Sequence, residues 1–217
     1  KDYDLEWNWS ESKYLELLKI SGGLNRIIHY RNAISSNLSD SKCSKIQSRK
    51  RFHYRNLINS GKIKVREGVL RLINELSRFD VEQFIVTTSG RESLDPFLKT
   101  SLSSHFNYFS GLITYEDVNK HKPFPDAYIS ALKLSKRSEE NCIAIEDSSI
   151  GVQAAKDAKI NCLLTLPPWS NSLENISRKA NACVNSLGNI NEPSKVIYGK
   201  KLINNIVDFE YLTALIN

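Results

Sequence analysis

The sequence predicts an α/β protein with a doubly wound parallel sheet, preceded by an all-helical segment. From Lys62 onward, short apolar runs alternate with helical patterns, which is typical of a parallel sheet covered by helices on both faces. Residues 1–61 carry apolar residues at helical spacing and no strand pattern. We therefore expect two domains, a helical domain over residues 1–61 and an α/β core over residues 62–217.

Three helices are predicted in the first domain. The first runs over residues 11–20 and ends at Ser21-Gly22-Gly23, because glycine commonly terminates helices. The second covers residues 24–34 and is followed by a polar loop. The third is a basic helix over about residues 43–58, which Ser60-Gly61 ends.

The core is predicted to alternate strands and helices along its length. The strands are expected at residues 83–87, 109–114, 142–145, 160–165 and 182–184, and the helices at residues 68–78, 91–100, 125–135, 151–158 and 206–216. The run at 142–145 is fully apolar and feeds a helix directly. A buried parallel strand has this pattern.

Composition narrows the classes of function. The chain has 217 residues, of which 41% are hydrophobic and 25% charged, as in globular proteins with one good core. No run approaches the roughly 20 apolar residues that cross a bilayer. The net charge is +6 and is densest at Arg49-Lys50-Arg51. We interpret this run as a solvated helix face, with nucleic-acid binding as the weaker alternative, and expect neither a membrane nor a nucleic acid as partner.

Cysteine usage indicates a reducing compartment. The four cysteines, Cys43, Cys142, Cys162 and Cys183, are widely spaced and form no Cys-x-x-Cys unit. We therefore expect a cytoplasmic protein without a disulfide framework.

The first candidate site is the acidic pair Glu146-Asp147, which follows the apolar run at 142–145. Ligands of α/β sheets bind beyond the carboxyl ends of the strands. Two carboxylates at that position suit Mg²⁺, which takes one or two protein carboxylates together with water and phosphate oxygens. The alternative is that the pair only caps the following helix.

The second candidate site is the run Thr87-Thr88-Ser89-Gly90-Arg91, which follows the strand at 83–87. A hydroxyl at a strand end, followed by small residues and a helix start, can hold a phosphate through that hydroxyl and free backbone N–H groups. The alternative is an ordinary helix N-cap.

The third candidate is Lys122, within His121-Lys122-Pro123-Phe124-Pro125-Asp126. The two prolines stiffen the backbone, and Asp126 can cap the next helix. A lysine held in this way can neutralise charge that develops on a phosphate. The alternative is a solvated surface lysine.

The order of these three features resembles that of the haloacid dehalogenase-like hydrolases, a superfamily consisting mostly of Mg²⁺-dependent phosphatases and phosphomutases. Thr87 is similar to the family's second motif, with Thr88 as the alternative register. Lys122 is similar to the third motif, and Glu146 and Asp147 are similar to the fourth. The resemblance implies catalytic roles for Thr87 and Lys122, a metal site at the acidic pair and a helical cap over residues 1–61.

Within that superfamily the chain is similar to the CbbY-like branch of sugar-phosphate phosphatases, which is related to β-phosphoglucomutase. The similarity is carried by residues 7–9, 17–23, 60–69, 88–91 and 145–148. It implies that Gly22, Gly23 and Arg26 face the substrate from the cap, with Arg26 on a distal phosphate. Thr88 and Ser89 would also contact substrate. The branch often has lysine directly after the two glycines, where this chain has Leu24.

The family's nucleophile motif, Asp-x-Asp-Gly-Thr after the first core strand, is not found in the sequence. Asp2 and Asp4 have the spacing, but no apolar strand precedes them and no Gly-Thr follows. The chain begins with Lys and has no methionine. These observations together predict that the first core strand lies upstream of residue 1.

The resemblance implies a Mg²⁺-dependent phosphatase that acts on a small sugar phosphate through an aspartyl-phosphate. We expect the protein to be a monomer. Xylulose-1,5-bisphosphate is the substrate associated with the branch. Two alternatives remain open at this point, namely a phosphomutase of the β-phosphoglucomutase type and a catalytically incomplete binding protein.

Overall fold

The structure, a computed structural model, describes residues 5–167 and 179–217. Asp2 and Asp4 lie outside these residues. Within residues 5–61 there are three helices, α1 (Glu11–Leu17), α2 (Gly23–Ala33) and α3 (Asp40–Asn59). Serine caps fix two of their starts, because Ser10 Oγ accepts from the third-residue N–H of α1 and Ser39 Oγ does the same for α3.

The remaining elements alternate as the sequence predicts. They are α4 (Val69–Arg78), β1 (Gln83–Val86), α5 (Arg91–Ser101), β2 (Phe109–Ile113), α6 (Asp126–Ser135), β3 (Ile143–Glu146), α7 (Ser149–Asp157), β4 (Asn161–Thr165), β5 (Ala182–Val184), β6 (Val196–Tyr198) and α8 (Phe209–Ile216).

The strands of the described residues form two separate sheets. β1 pairs with β2 in parallel, and β3, β4, β5 and β6 form a second sheet in that order. β3, β4 and β5 are parallel, whereas β6 is antiparallel to β5. β6 was not predicted from the sequence, and it adds one antiparallel strand to the edge of the predicted parallel sheet. The connection over residues 185–195 is too short for the crossover that a parallel pair needs.

Helices cover both faces of the larger sheet, as a doubly wound fold requires. Along β4, Cys162 and Leu164 pack with α7 on one face, while Leu163 packs with α4 and α8 on the other. This alternation follows from the two-residue period of a strand. Leu163 and Leu164 are fully buried, so the core of the fold lies around β4.

The helical segment contacts the core mainly through α3 and α5. Glu92, in the first turn of α5, accepts from Arg51 at 2.9 Å and from Arg55 at 2.8 Å. Because α5 starts directly after residues 87–90, these ion pairs bring α3 close to the second candidate site.

A cavity of about 1050 Å³ lies between the two sheets. Residues of β1 and β3 line the cavity, and α4, α6 and α8 contribute further side chains to its wall. Within the described residues, neither β1 nor β3 has a strand partner on the edge that faces the cavity. Native interiors are close-packed with few voids larger than a water molecule, so a cavity of this size between two strand edges is unusual.

No helix in the described ranges is long and apolar enough to cross a membrane. All four cysteines fall in those ranges, and each is free. Burial raises the pKa of Cys162 to about 12, because it disfavours the thiolate. This thiol therefore stays protonated at neutral pH.

Candidate active site

Lys122 is a buried lysine that joins the carboxyl ends of two strands. Its side chain is only 7% exposed. The ammonium donates to the carbonyl oxygen of Val86 at 2.8 Å and forms an ion pair with Glu146. Val86 ends β1 and Glu146 ends β3, so Lys122 bridges the two sheets. Its position excludes the alternative of a solvated surface lysine.

Glu146 points into the protein rather than into solvent. Its carboxylate accepts from Lys122 and from the hydroxyl of Tyr128. The Lys122 ammonium also lies 4.8 Å from the centre of the Tyr128 ring, a cation–π distance. Burial, reinforced by the charge of Glu146, raises the pKa of Tyr128 well above its usual value. Tyr128 therefore remains a hydrogen-bond donor to Glu146, a role that the sequence reasoning missed.

Asp147 is exposed at the rim of the cavity and does not cap α7. The N-cap is Ser148, whose hydroxyl accepts from the Gly151 N–H at 3.2 Å. The alternative in which the acidic pair only caps the helix is therefore wrong. Glu146 and Asp147 divide between a buried ion pair and an accessible carboxylate.

Thr87 follows β1 without capping α5. The N-cap of α5 is Gly90, with no side-chain hydrogen bond. Thr87 Oγ1 accepts from the Ser89 N–H at 3.0 Å, so that this amide is already used, while the hydroxyl proton remains available to a ligand. The Arg91 N–H donates to the Glu116 carboxylate at 3.2 Å. Fewer backbone donors are therefore free here than the sequence suggested.

Arg66 is a residue of this rim that the sequence reasoning did not assign. Its guanidinium donates to Thr165 Oγ1 at 3.1 Å and to the Leu166 carbonyl at 2.6 Å, at the end of β4. Desolvation lowers the pKa of Arg66, and the nearby Asp147 partly opposes that shift. In the sequence, Arg66 is distinguished only by being a basic residue shortly before α4.

One cavity brings the three core motifs together. Thr87, Thr88, Lys122, Glu146 and Asp147 all line the space between β1 and β3. Ser89 follows on the same loop and is exposed. Parallel strands place their carboxyl ends on the same edge of a sheet, which explains why residues far apart in sequence meet here.

Gly22, Gly23 and Arg26 lie in the helical segment, at the start of α2, and do not line this cavity. Gly22 has φ +86°, a left-handed conformation that favours glycine, and it precedes α2 directly. Arg26 is half-buried, and its Nε donates to the Gly22 carbonyl at 3.3 Å. This contact holds the guanidinium close to the two glycines.

Lys50, on α3, is a second cation near Arg26 that sequence reasoning interpreted only as part of a solvated charge run. It retains exposed surface, yet the surrounding protein desolvates it, which lowers the pKa of its ammonium, and Arg26 lowers it further. Arg26 and Lys50 together give this part of the helical segment a positive charge.

The sequence profile described as haloacid dehalogenase-like hydrolase matches residues 11–165, well over half of the chain. The chain belongs to the haloacid dehalogenase-like hydrolases. The family predicted from Thr87, Lys122 and the acidic pair is thereby confirmed.

Relatives of this hydrolase include CbbY proteins. Protein CbbY of Rhodobacter capsulatus is 30% identical over 162 residues, which make up 74% of this chain and 71% of that protein. The crystal structure of CbbY from Rhodobacter sphaeroides in complex with phosphate superimposes with a TM-score of 0.76 at 25% identity, covering 85% of this chain and 82% of that one. A mutant of the latter protein in complex with xylulose-(1,5)bisphosphate matches with the same TM-score at 24% identity, covering 88% and 85%. The hydrolase therefore has the predicted α/β fold.

Proposed function

We propose that this hydrolase cleaves the phosphate ester of a small sugar phosphate, and that xylulose-1,5-bisphosphate is the first substrate to test. The observation that carries the proposal is the shared rim of Thr87, Lys122 and Asp147 around one cavity. A hydroxyl, a fixed ammonium and an accessible carboxylate are the groups that phosphoryl transfer requires. The complexes of related CbbY with phosphate and with the bisphosphate support this choice.

In this proposal the side chains at the rim divide the work. The Thr87 hydroxyl donates to a phosphoryl oxygen, and its own acceptor bond from Ser89 fixes its orientation. Lys122 neutralises charge on the same group, and its ion pair with Glu146 keeps the ammonium in place. When substrate binds, the helical segment closes over the site as a cap and excludes water.

The residues present fit a magnesium ion. Mg²⁺ takes one or two protein carboxylates and fills its other positions with water and phosphate. Asp147 is accessible at the rim, and one Glu146 oxygen has only a 3.5 Å contact to Ser148. These two carboxylates would hold the ion. When bound, Mg²⁺ supplies electrostatic stabilisation of the phosphoryl oxygens.

The cations of the helical segment would bind a second phosphate. Arg26 can do so by a bidentate contact, and Lys50 supplies the additional charge that related proteins have at the position of Leu24. A substrate with two phosphates would then be held at both ends, one at the cap and one at the rim.

The nucleophilic aspartate of this proposal comes from a strand that fills the space between β1 and β3. An inserted parallel strand would pair with both free edges and would end beside Lys122 and Asp147. Within the described residues, Asp147 is the only aspartate at this end of the cavity. The aspartyl-phosphate would form on the inserted strand and then be hydrolysed.

The proposal is tested by the release of inorganic phosphate from a panel of sugar phosphates and bisphosphates, with and without Mg²⁺. We expect release that needs Mg²⁺ and that falls at least 100-fold, as an order of magnitude, in Lys122→Ala. Lys133→Ala, an exposed lysine on α6, is the matched control. Turnover that is unaffected by Lys122→Ala would refute the proposed site.

The same assay separates the alternatives. An isomeric sugar phosphate without free phosphate would identify a phosphomutase. Tight binding of the panel without any product would identify a catalytically incomplete binding protein.

A further inference from the structure

Gln47, on α3, is packed directly against the start of α2. A Cβ on Gly23 would lie 2.4 Å from Gln47 Nε2 and 2.6 Å from Gln47 Oε1, closer than real Cβ atoms approach other groups. The amide therefore occupies the space that a side chain at position 23 would need. Glycine at this position leaves room for Gln47.

The amide oxygen of Gln47 is buried and has no hydrogen-bond partner among the described residues. The hydroxyl of Ser21, just before Gly22-Gly23, is in the same condition. Buried polar atoms are nearly always paired, because an unpaired one keeps its desolvation penalty. Two such atoms at the same turn indicate a place for a polar ligand group.

The register of the two helices places this amide beside the two cations. Gly23 and Arg26 are three residues apart on α2, and Gln47 and Lys50 are three residues apart on α3. Residues at that spacing share a helix face. Since Gln47 faces Gly23 and Lys50 lies near Arg26, the amide and the cations form one row between the two helices.

We infer that Gln47 binds a substrate hydroxyl next to the phosphate held by Arg26 and Lys50. A hydroxyl can donate its one proton to the amide oxygen and can accept a hydrogen bond from the Ser21 hydroxyl. The substrate class is therefore a polyhydroxylated chain with a terminal phosphate, not a plain alkyl phosphate. This inference rests on the proposed function and adds the group that recognises the sugar.

The test compares two ligands that have the same length and charge. Ribitol 1,5-bisphosphate carries hydroxyls along its chain, and pentane-1,5-diol bisphosphate carries none. Their dissociation constants are measured by titration calorimetry with the protein in EDTA, so that no metal-dependent turnover occurs. We expect Gln47→Leu to raise the dissociation constant of ribitol bisphosphate roughly 5- to 10-fold, the value of one hydrogen bond. The dissociation constant of pentanediol bisphosphate should change less than about 2-fold.

Two further variants make the result specific. Gly23→Ala should displace the amide and cause the same selective loss, although Gln47 itself is unchanged. Gln153→Leu is the control, because Gln153 is a half-buried glutamine on α7 whose amide donates to Asp157, away from α2 and α3. It should leave both constants at the wild-type values.

The outcomes are distinct. The inference is wrong if Gln47→Leu weakens the binding of both ligands equally, so that the wild-type preference for ribitol bisphosphate is kept. It is also wrong if the wild type binds the two ligands equally well. In both cases the proposed function stands. If the wild-type protein binds neither bisphosphate in EDTA and also releases no phosphate from either one with Mg²⁺, the proposed function fails and the inference fails with it. If it binds neither in EDTA but releases phosphate from both equally well with Mg²⁺, the inference alone is wrong.

Discussion

Lys122 and Glu146 form an ion pair in which each side chain is only 7% exposed. Taking two charges out of water costs several kcal/mol per ion, and their attraction repays it only with good geometry and further hydrogen bonds. Here Val86 and Tyr128 supply such contacts, one to each partner. A buried pair at a strand end is better explained by the charge it offers to a ligand than by stability.

We predict that Lys122→Met lowers the free energy of unfolding by about 3–5 kcal/mol, because Glu146 is left buried without its counter-charge. The double variant Lys122→Met/Glu146→Gln should recover much of this loss. Both are measured by urea unfolding, with Lys133→Met on the exposed side of α6 as the control. A loss below about 1 kcal/mol in the single variant would show that water reaches Glu146 freely.

Asp117 gives a prediction for pH. Hydrogen bonds from the Thr114 hydroxyl and N–H, at 2.6 and 2.8 Å, lower the pKa of Asp117 from its usual value near 3.8, and Arg91 lowers it further. A carboxyl whose pKa is lower in the folded state stabilises the fold at pH values above its unfolded pKa. This contribution disappears as the pH falls through the folded pKa.

Asp117→Asn should therefore lower the free energy of unfolding by about 0.5 kcal/mol at neutral pH, since Asp117 is exposed and solvent screens its charge, with a constant difference from the wild type down to about pH 4. Below that pH the difference should shrink. Chemical denaturation of both proteins across this range measures it. A difference that stays constant into strong acid would mean that the charge of Asp117 contributes nothing.

At the scale of single residues, the sequence predicted a set of candidate side chains but not what each one contacts. Lys122 stands out because of its prolines, and the acidic pair because it follows an apolar strand. The division between a buried Glu146 and an exposed Asp147 depends on Tyr128 and Ser148, and those contacts are tertiary. Gln47 and Lys50 were hidden in a basic helix, since neither has a sequence signal of its own.

At the scale of elements, the turn from β3 into α7 brings Gly151 against Glu146. A Cβ at position 151 would lie 1.8 Å from Glu146 Oε2. The carboxylate is held by Lys122 and Tyr128, so it has little freedom to move away. The start of α7 and the buried ion pair can therefore coexist only because glycine has no side chain at position 151.

Gly151→Ala should accordingly lower the free energy of unfolding by about 1–3 kcal/mol. This sign is diagnostic, because alanine in place of glycine within a helix ordinarily gains about 1 kcal/mol. Lys156→Ala, at an exposed position of the same helix, should change stability by less than about 0.5 kcal/mol. Thermal and urea unfolding of both variants measure the contrast, and stabilisation by Gly151→Ala would contradict the packing described.

Most element bounds were predictable because periodicity, glycine and serine mark them locally. α3 begins at Asp40 rather than at Cys43, since Ser39 is the cap. β6 was missed because three residues carry too little pattern to distinguish a strand from a loop. The pairing of strands was not predictable in detail, since it depends on contacts between distant residues.

At the scale of the whole molecule, β1 and β3 each have one edge that no other described strand pairs with. An unpaired strand edge leaves a row of N–H and C=O groups without partners, and native proteins usually pair or cover such an edge. Both edges face the same cavity, and helices cover it on two sides. We propose that this space is a slot for one further strand, which would join the two sheets into one.

If a strand occupies this slot in the protein in solution, the amides of β1 and β3 that point into it are hydrogen-bonded and exchange slowly with deuterium. We predict protection comparable to that of β4, which has parallel partners on both sides. Hydrogen exchange followed by mass spectrometry of peptides over residues 83–86, 143–146 and 161–165 measures it. The edge strand β6 is the internal control, because it pairs on one side only within the described residues and should exchange faster. Exchange in β1 and β3 as fast as in β6 would mean that the slot is open, and the nucleophile of the proposed reaction would then have to come from elsewhere.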